Sequence, residues 1–291
     1  MKKPVIISVI NHKGGTGKTT MSYNLAEACD YVLNQKERQN IKILLIDNDP
    51  QASLTSFFYD TEEELDDKDT ILSIYQDIPV YSKEIILATK NPNIDVVTNM
   101  FLCTTKEKSL STLIDGNFRI KKFINNHCEN YDIVIIDNSP YFSSFTTNAL
   151  FASDYVIIPT NLTRLSVIGI AEILKNIASV QDNINPKLKL LGILVNMLDE
   201  RYKSHHVHRE MLYKQFGDLV FITEIHVSAS IQNAERKKLT IVEYNKNTRT
   251  YKEYLQLARE IANKIGLPID FNVEEAYQNK MMNEGINGSE D

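Results

Sequence analysis

Short apolar segments recur along the chain, and longer segments of mixed polarity separate them. The apolar segments are four to eight residues long, rich in Val, Ile and Leu, and mostly continuous rather than alternating with polar residues. Continuous apolar segments of this length are typical of strands buried on both faces of a parallel sheet. The predicted strands are Val5–Ile10, Ile43–Ile46, Ile94–Val97, Ile133–Ile136, Tyr155–Ile158, Leu188–Val195 and Leu219–Ile225.

The segments between the predicted strands have the length and pattern of crossover helices. Met21–Val32, Ser166–Val180 and His206–Phe216 are the clearest examples. Strands that alternate with helices predict an α/β fold, a doubly wound, mostly parallel sheet with helices on both faces. We expect one domain over residues 1–266 and a polar, flexible tail over residues 267–291.

Composition excludes several classes of protein. The chain has 291 residues, of which 43% are hydrophobic and 24% charged, as is ordinary for a globular protein. No apolar segment approaches the roughly 18 residues of a membrane span. The three cysteines lack the spacing of a metal or redox site, so we expect reduced thiols and a cytoplasmic location. The net charge is −6, but the charge is unevenly distributed along the chain. Residues 201–252 hold ten Lys or Arg and five Asp or Glu, and an acidic protein can still present a basic face.

A glycine-rich turn connects the first predicted strand to the first predicted helix. Its sequence, Asn11–Thr20, reads NHKGGTGKTT. Glycines allow successive backbone N–H groups and the helix dipole to point at one anion. Lys18 would then reach the β- and γ-phosphates, and the Thr19 hydroxyl would bind Mg²⁺. A dinucleotide fingerprint is a weaker interpretation, because the third glycine it needs is absent. The residues expected around the phosphates are Lys13, Gly14, Gly15, Thr16, Gly17, Lys18, Thr19 and Thr20.

Carboxylates follow two of the other predicted strands. Asp47 and Asp49 come after Ile43–Ile46, and their spacing places both on one face of an extended chain. Two close carboxylates repel each other unless a cation or a reacting proton lies between them, and phosphoryl transfer supplies both. A turn or helix cap at Asp49 is the structural alternative. Asp137 ends the strand Ile133–Ile136, where an acid can hold Mg²⁺ through water.

Together these motifs resemble the ParA/MinD superfamily of deviant Walker A ATPases, and its ParA/Soj-type DNA partition members in particular. The resemblance spans roughly residues 4–266 and implies a P-loop NTPase fold, slow hydrolysis of ATP with Mg²⁺, and a homodimer that sandwiches two nucleotides. In this family the extra lysine, here Lys13, reaches the partner's phosphates. The resemblance further implies that Asp49 positions the hydrolytic water, that Asp47 supports the Mg²⁺ site, and that Asp137 is the Walker B acid.

The resemblance also extends to the base, DNA and partner sites. Asn196 and Met197 occupy the strand end that lies beside the adenine in the family. ParA-type proteins bind DNA non-specifically through a basic C-terminal face, and a ParB-like centromere-binding partner stimulates hydrolysis. We therefore expect association with the nucleoid. The usual arginines align with Val227 and Ser230, so the remaining DNA-binding candidates are Arg236, Lys237 and Lys238.

Other functions compete with this interpretation. A MinD-like positioning ATPase would need a basic amphipathic C-terminal helix, and the acidic polar tail argues against membrane binding. A nitrogenase-iron-protein-like reductase would need a cysteine pair at the dimer face. A DNA-binding scaffold that binds ATP without turnover would not need Asp49 and Asp137. Only some of the histidines at positions 205, 206 and 208 could share a helix face, and no cysteine or carboxylate within the motif completes a metal site.

Overall fold

The computed structural model describes residues 3–34, 40–60, 70–76, 85–100 and 116–267. Within these ranges the chain forms one seven-stranded sheet in the order β3-β4-β2-β5-β1-β6-β7. All neighbouring strands are parallel except β3, which runs antiparallel to β4. The strands are β1 Val5–Val9, β2 Ile43–Asn48, β3 Ile86–Ala88, β4 Ile94–Val97, β5 Ile133–Asn138, β6 Tyr155–Thr160 and β7 Lys189–Val195.

Helices cover both faces of the sheet. Alternate residues of β2 show this directly, because Ile43 and Leu45 pack in one apolar cluster with the first and last helices, and Leu44 and Ile46 pack in another on the opposite face. The described helices are α1 Lys18–Leu33, α2 Ser53–Phe58, α3 Ile71–Tyr75, α4 Arg119–His127, α5 Ser144–Ala152, α6 Arg164–Asn183, α7 Lys203–Phe216, α8 Ala229–Arg236, α9 Ile241–Tyr244 and α10 Arg249–Lys264. The predicted doubly wound α/β fold is confirmed.

One predicted strand, Leu219–Ile225, is wrong. The segment runs beside β7, and its Phe221 and Ile225 N–H groups donate to β7 carbonyls at 2.9 Å. The intervening N–H groups of Ile222 and Thr223 instead donate to the buried Glu260 carboxylate, at 2.8 and 3.0 Å. The Glu260 side chain thus accepts hydrogen bonds from two successive backbone N–H groups, and the segment does not form a regular β-ladder with β7. Strand β3 was not predicted, because it is only three residues long and partly buried.

Some predicted features fall outside the described residues. These are Cys103 and the tail from residue 268 onward. Within the ranges that the structure describes, no helix has the length and apolar character needed to cross a membrane.

Candidate nucleotide-binding site

The glycine-rich turn follows β1 and has a backbone conformation that favours glycine at two positions. Gly15 and Gly17 have φ angles of +72° and +79°, in the left-handed region that favours glycine. A Cβ on Gly17 would lie 2.5 Å from Nδ2 of Asn196. That amide in turn donates to the Thr16 carbonyl at 2.8 Å. The end of β7 therefore braces the turn.

This contact gives Asn196 a different position from the one expected beside the base. Its side chain is buried, and its Oδ1 accepts a hydrogen bond from the Met197 N–H at 3.0 Å. Met197 has a φ angle of +57° and is 37% exposed beside Gly17. Asn196 thus shapes the phosphate turn in this structure, and contact of either residue with adenine stays a prediction.

Lys18 is buried at the start of α1 and has few partners. Its Nζ lies 3.5 Å from the Lys13 carbonyl. Burial lowers the pKa of Lys18, and the nearby carboxylates of Asp137 and Asp49 oppose this shift. Among the described residues, the Lys18 ammonium group forms no direct ion pair, and a buried cation in that position is stabilised when an anion binds. The position is suited to a phosphate.

Asp137 ends β5 facing α1. Its Oδ2 accepts from the Thr19 hydroxyl at 2.7 Å, and its Oδ1 accepts from the Ser22 hydroxyl at 3.0 Å. Burial raises the pKa of Asp137 to about 6, against the hydroxyl bonds and the charge of Lys18. A hydroxyl and a carboxylate are the hard oxygen ligands that Mg²⁺ prefers, so the donor set fits that ion. Ser22 was missed, although its spacing of three residues from Thr19 places both on one helix face.

Asp47 lies deeper, beside Asp137 on the neighbouring strand. Its Oδ2 accepts from the backbone N–H and the hydroxyl of Thr55, both at 2.7 Å, and its Oδ1 accepts from the Asp49 N–H at 3.2 Å. Burial and the charge of Asp137 raise the pKa of Asp47 to about 8. Asp47 therefore holds the loop and helix that follow β2, and its predicted support of a Mg²⁺ site stays a prediction. The sequence analysis missed Thr55.

Asp49 lines the cleft above this buried layer. Its Oδ1 accepts from the Gln51 N–H at 3.0 Å, and its carbonyl accepts from the Asn99 amide at 3.0 Å. The backbone on both sides of the carboxylate is thereby fixed. Asp49 is the carboxylate of the predicted pair that reaches the cleft surface.

Lys13 contacts its own chain. Its Nζ donates to the hydroxyls of Thr163 and Ser166, at 3.0 and 3.2 Å. Thr163 is the N-cap of α6, and its hydroxyl also accepts from the Ser166 N–H. The first turn of α6 therefore holds the ammonium group that the resemblance assigns to a partner's phosphates.

The phosphate turn, with Lys18 and Thr19, and Asp49 line a cleft of about 510 Å³, a typical volume for a ligand site. Beyond the phosphate turn the cleft continues between α1, α2 and the end of α8. The Tyr23 ring stacks on Phe57 there, with 3.8 Å between ring centroids. The cleft is lined by Gly14, Gly15, Gly17, Lys18, Thr19, Thr20, Tyr23, Asp49, Gln51, Ser53, Ser56, Phe57, Pro140, Glu235 and Lys238.

Several cationic side chains of the basic segment, residues 201–252, are already paired with other groups of the chain. Lys238 pairs with Asp60 and lines the nucleotide cleft, and the Lys237 ammonium group lies 5.3 Å from the centre of the Tyr244 ring. Arg236 ends α8 and is exposed, and Val227 is 51% exposed. Other intrachain ion pairs of this segment join Arg201 to Asp199, Arg209 to Glu224, and Arg249 to Glu200 and Glu253. DNA contact by residues 236–238 stays a prediction.

The histidine cluster on α7 forms no metal site. His206 and His208 each bond a backbone carbonyl, of Glu200 and Leu162 respectively. Across the described part of the chain, no three His, Cys, Asp or Glu side chains are grouped so that they could hold a metal ion.

Comparison with known proteins identifies the family. A model of the AAA domain matches residues 4–190. The sporulation initiation inhibitor protein Soj of Bacillus subtilis is 33% identical over 257 residues, covering 88% of this chain and 98% of Soj. The chromosome partitioning protein ParA of Myxococcus xanthus is 30% identical over 259 residues, covering 88% of this chain and 87% of that protein.

The fold has close structural neighbours as well. The structure of McdA from Cyanothece in complex with ATP superimposes with a TM-score of 0.78 at 18% identity, covering 94% of this chain and all of that one. Domain match, sequence identity over nearly full length and fold agree, and the chain therefore belongs to the ParA/Soj-type P-loop ATPases.

Proposed function

We propose that this member of the partition ATPase family hydrolyses ATP with Mg²⁺ and uses the nucleotide to switch between a monomer and a DNA-binding dimer. The observation that carries the proposal is the convergence of the phosphate turn, Lys18, the Thr19–Asp137 pair and Asp49 on one cleft. The components come from the carboxyl ends of β1, β2 and β5 and from the start of α1, which is how open α/β sheets build ligand sites.

The phosphate turn would bind the triphosphate through backbone N–H groups and the α1 dipole. Lys18 would neutralise charge on the β- and γ-phosphates. Thr19 would hold Mg²⁺ directly, and Asp137 would hold it through water, once the hydroxyl releases the carboxylate. When bound, Mg²⁺ supplies positive charge to the phosphate oxygens.

Asp49 would orient the attacking water. Its backbone is fixed on both sides, so its carboxylate presents a defined acceptor to the cleft. Asp47 would act through it, because its Oδ1 holds the Asp49 N–H. Positioning of this kind is the main protein contribution to phosphoryl transfer.

A dimer would form at the carboxyl edge of the sheet. Large apolar side chains are exposed there, and each follows the strand β5, β6 or β7. Exposed apolar groups gathered around a site are typical of an interface. They are Tyr141, Phe142, Leu165, Ile168 and Met197. Lys13 would leave Thr163 and Ser166 and reach the partner's phosphates, so that ATP favours the dimer.

The dimer would bind DNA without sequence preference and associate with the nucleoid in the cytoplasm. A ParB-like, centromere-bound partner would stimulate hydrolysis and thereby release it. The names of Soj and ParA, and their identity to this chain, support a partition role.

A binding experiment with random-sequence duplex DNA tests the proposal. We expect binding with ATP but not with ADP or without nucleotide, and a steep loss of affinity as salt rises. The Asp49→Ala variant should stop hydrolysis and keep the ATP-bound dimer on DNA. Normal turnover in that variant would remove Asp49 from its role, and equal DNA binding in all nucleotide states would contradict the switch.

A further inference from the structure

A second, larger cavity lies at the amino edge of the sheet, opposite the nucleotide cleft. Its volume is about 810 Å³. The segment entering β1, helix α4, the end of α5 and the connection from α6 to β7 surround it. Asn185 fixes its floor, because the buried amide donates to the carbonyls of Leu150 and Ser153 at 3.0 and 2.8 Å.

Lysines from three separate parts of the chain line this cavity: Lys3 before β1, Lys121 on α4, and Lys187 and Lys189 at or just before the start of β7. Among the residues that the structure describes, none of these four ammonium groups forms an ion pair or a hydrogen bond. Asp154 is the one acid of the lining, and its Oδ2 already accepts the Ile6 N–H at 2.9 Å. The cavity therefore carries an excess of positive charge.

This arrangement differs from that of a small phosphorylated ligand's site. Such sites use helix N-termini, backbone N–H groups and fixed arginine forks. Here α5 and α6 end at the cavity, at Ala152 and Asn183, so they present carbonyl groups and the negative ends of their dipoles. Ammonium groups on flexible stems at an exposed rim suit a ligand with many spaced anionic groups. One large exposed apolar side chain, Ile184, is too little for insertion into a membrane.

We propose that the lysine-lined cavity at the amino edge contacts the phosphate backbone of duplex DNA. This inference rests on the proposed function, which includes DNA binding. It adds the place on the protein where the DNA lies. A dimer joined at its carboxyl edges would carry one such cavity at each outer end.

Two charge-matched triple variants of the full-length protein test the assignment. One is Lys121→Gln/Lys187→Gln/Lys189→Gln. The other, Arg236→Gln/Lys237→Gln/Lys252→Gln, changes three exposed cations of the basic segment that lie outside the nucleotide cleft, two of which were first expected to bind DNA. Random-sequence duplex DNA is titrated with ATP present over a series of salt concentrations. Each lost phosphate contact reduces the magnitude of the slope of log K against log salt by about 0.9. In the cavity variant, which loses three lysines, the magnitude of the slope should fall by about 2.7, and the variant should bind DNA at least tenfold more weakly. Its ATP turnover without DNA should stay unchanged, because its three lysines lie outside the nucleotide cleft.

The outcomes separate the two levels of the proposal. An unchanged slope in the cavity variant, or an equal loss in both variants, would overturn the cavity while leaving ATP-dependent DNA binding intact. If the unmodified protein binds DNA in no nucleotide state, the proposed function fails and the DNA assignment fails with it. Binding to vesicles of phosphatidylglycerol and phosphatidylcholine that the cavity variant loses, without DNA binding, would assign the surface to anionic lipid and overturn the proposal.

Discussion

The two edges of the sheet handle charge in opposite ways. At the carboxyl edge, Asp47, Asp137 and Lys18 are buried, and hydroxyl and N–H groups hold both carboxylates in place. At the amino edge, four lysines surround an open cavity and bond no group of the described chain. A buried charge needs partners with fixed geometry, whereas exposed charges act through the electrostatic potential that several of them produce together. The first arrangement suits one ligand held in one pose, and the second suits a polymer that can bind in many registers.

The largest expected effect is the removal of the buried cation at the carboxyl edge. Lys18→Ala should abolish ATP-dependent dimerisation, because it removes the buried ammonium group that the cleft provides for the β- and γ-phosphates. Sedimentation with and without ATP measures the dimer fraction. The same substitution at the other edge, Lys121→Ala, is the control and should leave that fraction unchanged. A normal dimer in Lys18→Ala would contradict the nucleotide sandwich.

A smaller effect is expected from the shape of the phosphate turn. Gly17→Ala should destabilise the protein by about 2 kcal/mol, because alanine is strained at a positive φ and its Cβ would strike the Asn196 amide. Gly169→Ala, within α6, is the matched control: nothing lies within 4 Å of the added Cβ, and alanine favours a helix. Thermal unfolding should separate the two by several degrees. Equal melting temperatures would show that the Asn196 side chain moves aside to accommodate the added methyl group.

The intrachain contact of Lys13 should have a modest effect on dimerisation. Ser166→Ala removes one hydrogen bond to the ammonium group, worth about 1 kcal/mol, and leaves the Thr163 cap. The ATP concentration for half-maximal dimerisation should fall about fivefold, because Lys13 is released more easily. Ser179→Ala on the same helix is the control. An unchanged or higher ATP requirement in Ser166→Ala would show that the contact does not restrain Lys13.

The smallest effect concerns Glu27, a half-buried carboxyl of α1 that shows how pH acts on this fold. Burial and the charges of Glu243 and Asp30 raise the pKa of Glu27 to about 7, against a hydrogen bond from Asn91. Between pH 4.5 and 7 the folded protein keeps a proton that the unfolded chain releases, so stability falls as pH rises. The Glu27→Gln variant should lose this pH dependence. At pH 8 its free energy of unfolding should exceed that of the unmodified protein by on the order of 1 kcal/mol, after allowance for partial exposure.

Urea unfolding of both proteins at pH 4 and pH 8 measures the difference. The gain should be present at pH 8 and absent at pH 4, where Glu27 is protonated in both states. A gain of the same size at both values would mean that packing rather than ionisation distinguishes glutamine from glutamate.

The sequence predicted the elements whose pattern is local. Six predicted strands are present, and the phosphate turn lies between the expected strand and helix. The seventh failed because its donors go to Glu260, about 37 residues away, which no local pattern reveals. The same limit applies within the site. Motif spacing indicated Lys18, Asp49 and Asp137, but the bonds from Asn196 to the turn and from Lys13 to α6 depend on how distant segments pack.

Helix α6 connects the two edges of the molecule. Its N-cap, Thr163, receives the Lys13 ammonium group, and its C-cap, Ile184, lines the lysine-bearing cavity. Twenty residues at 1.5 Å each make a rod about 30 Å long, and a helix is stiff along its axis. A shift of its first turn when Lys13 leaves would therefore displace its last turn as well. In the proposed function, release of Lys13 at the nucleotide end of α6 would thus reach the lysine-lined cavity at its other end.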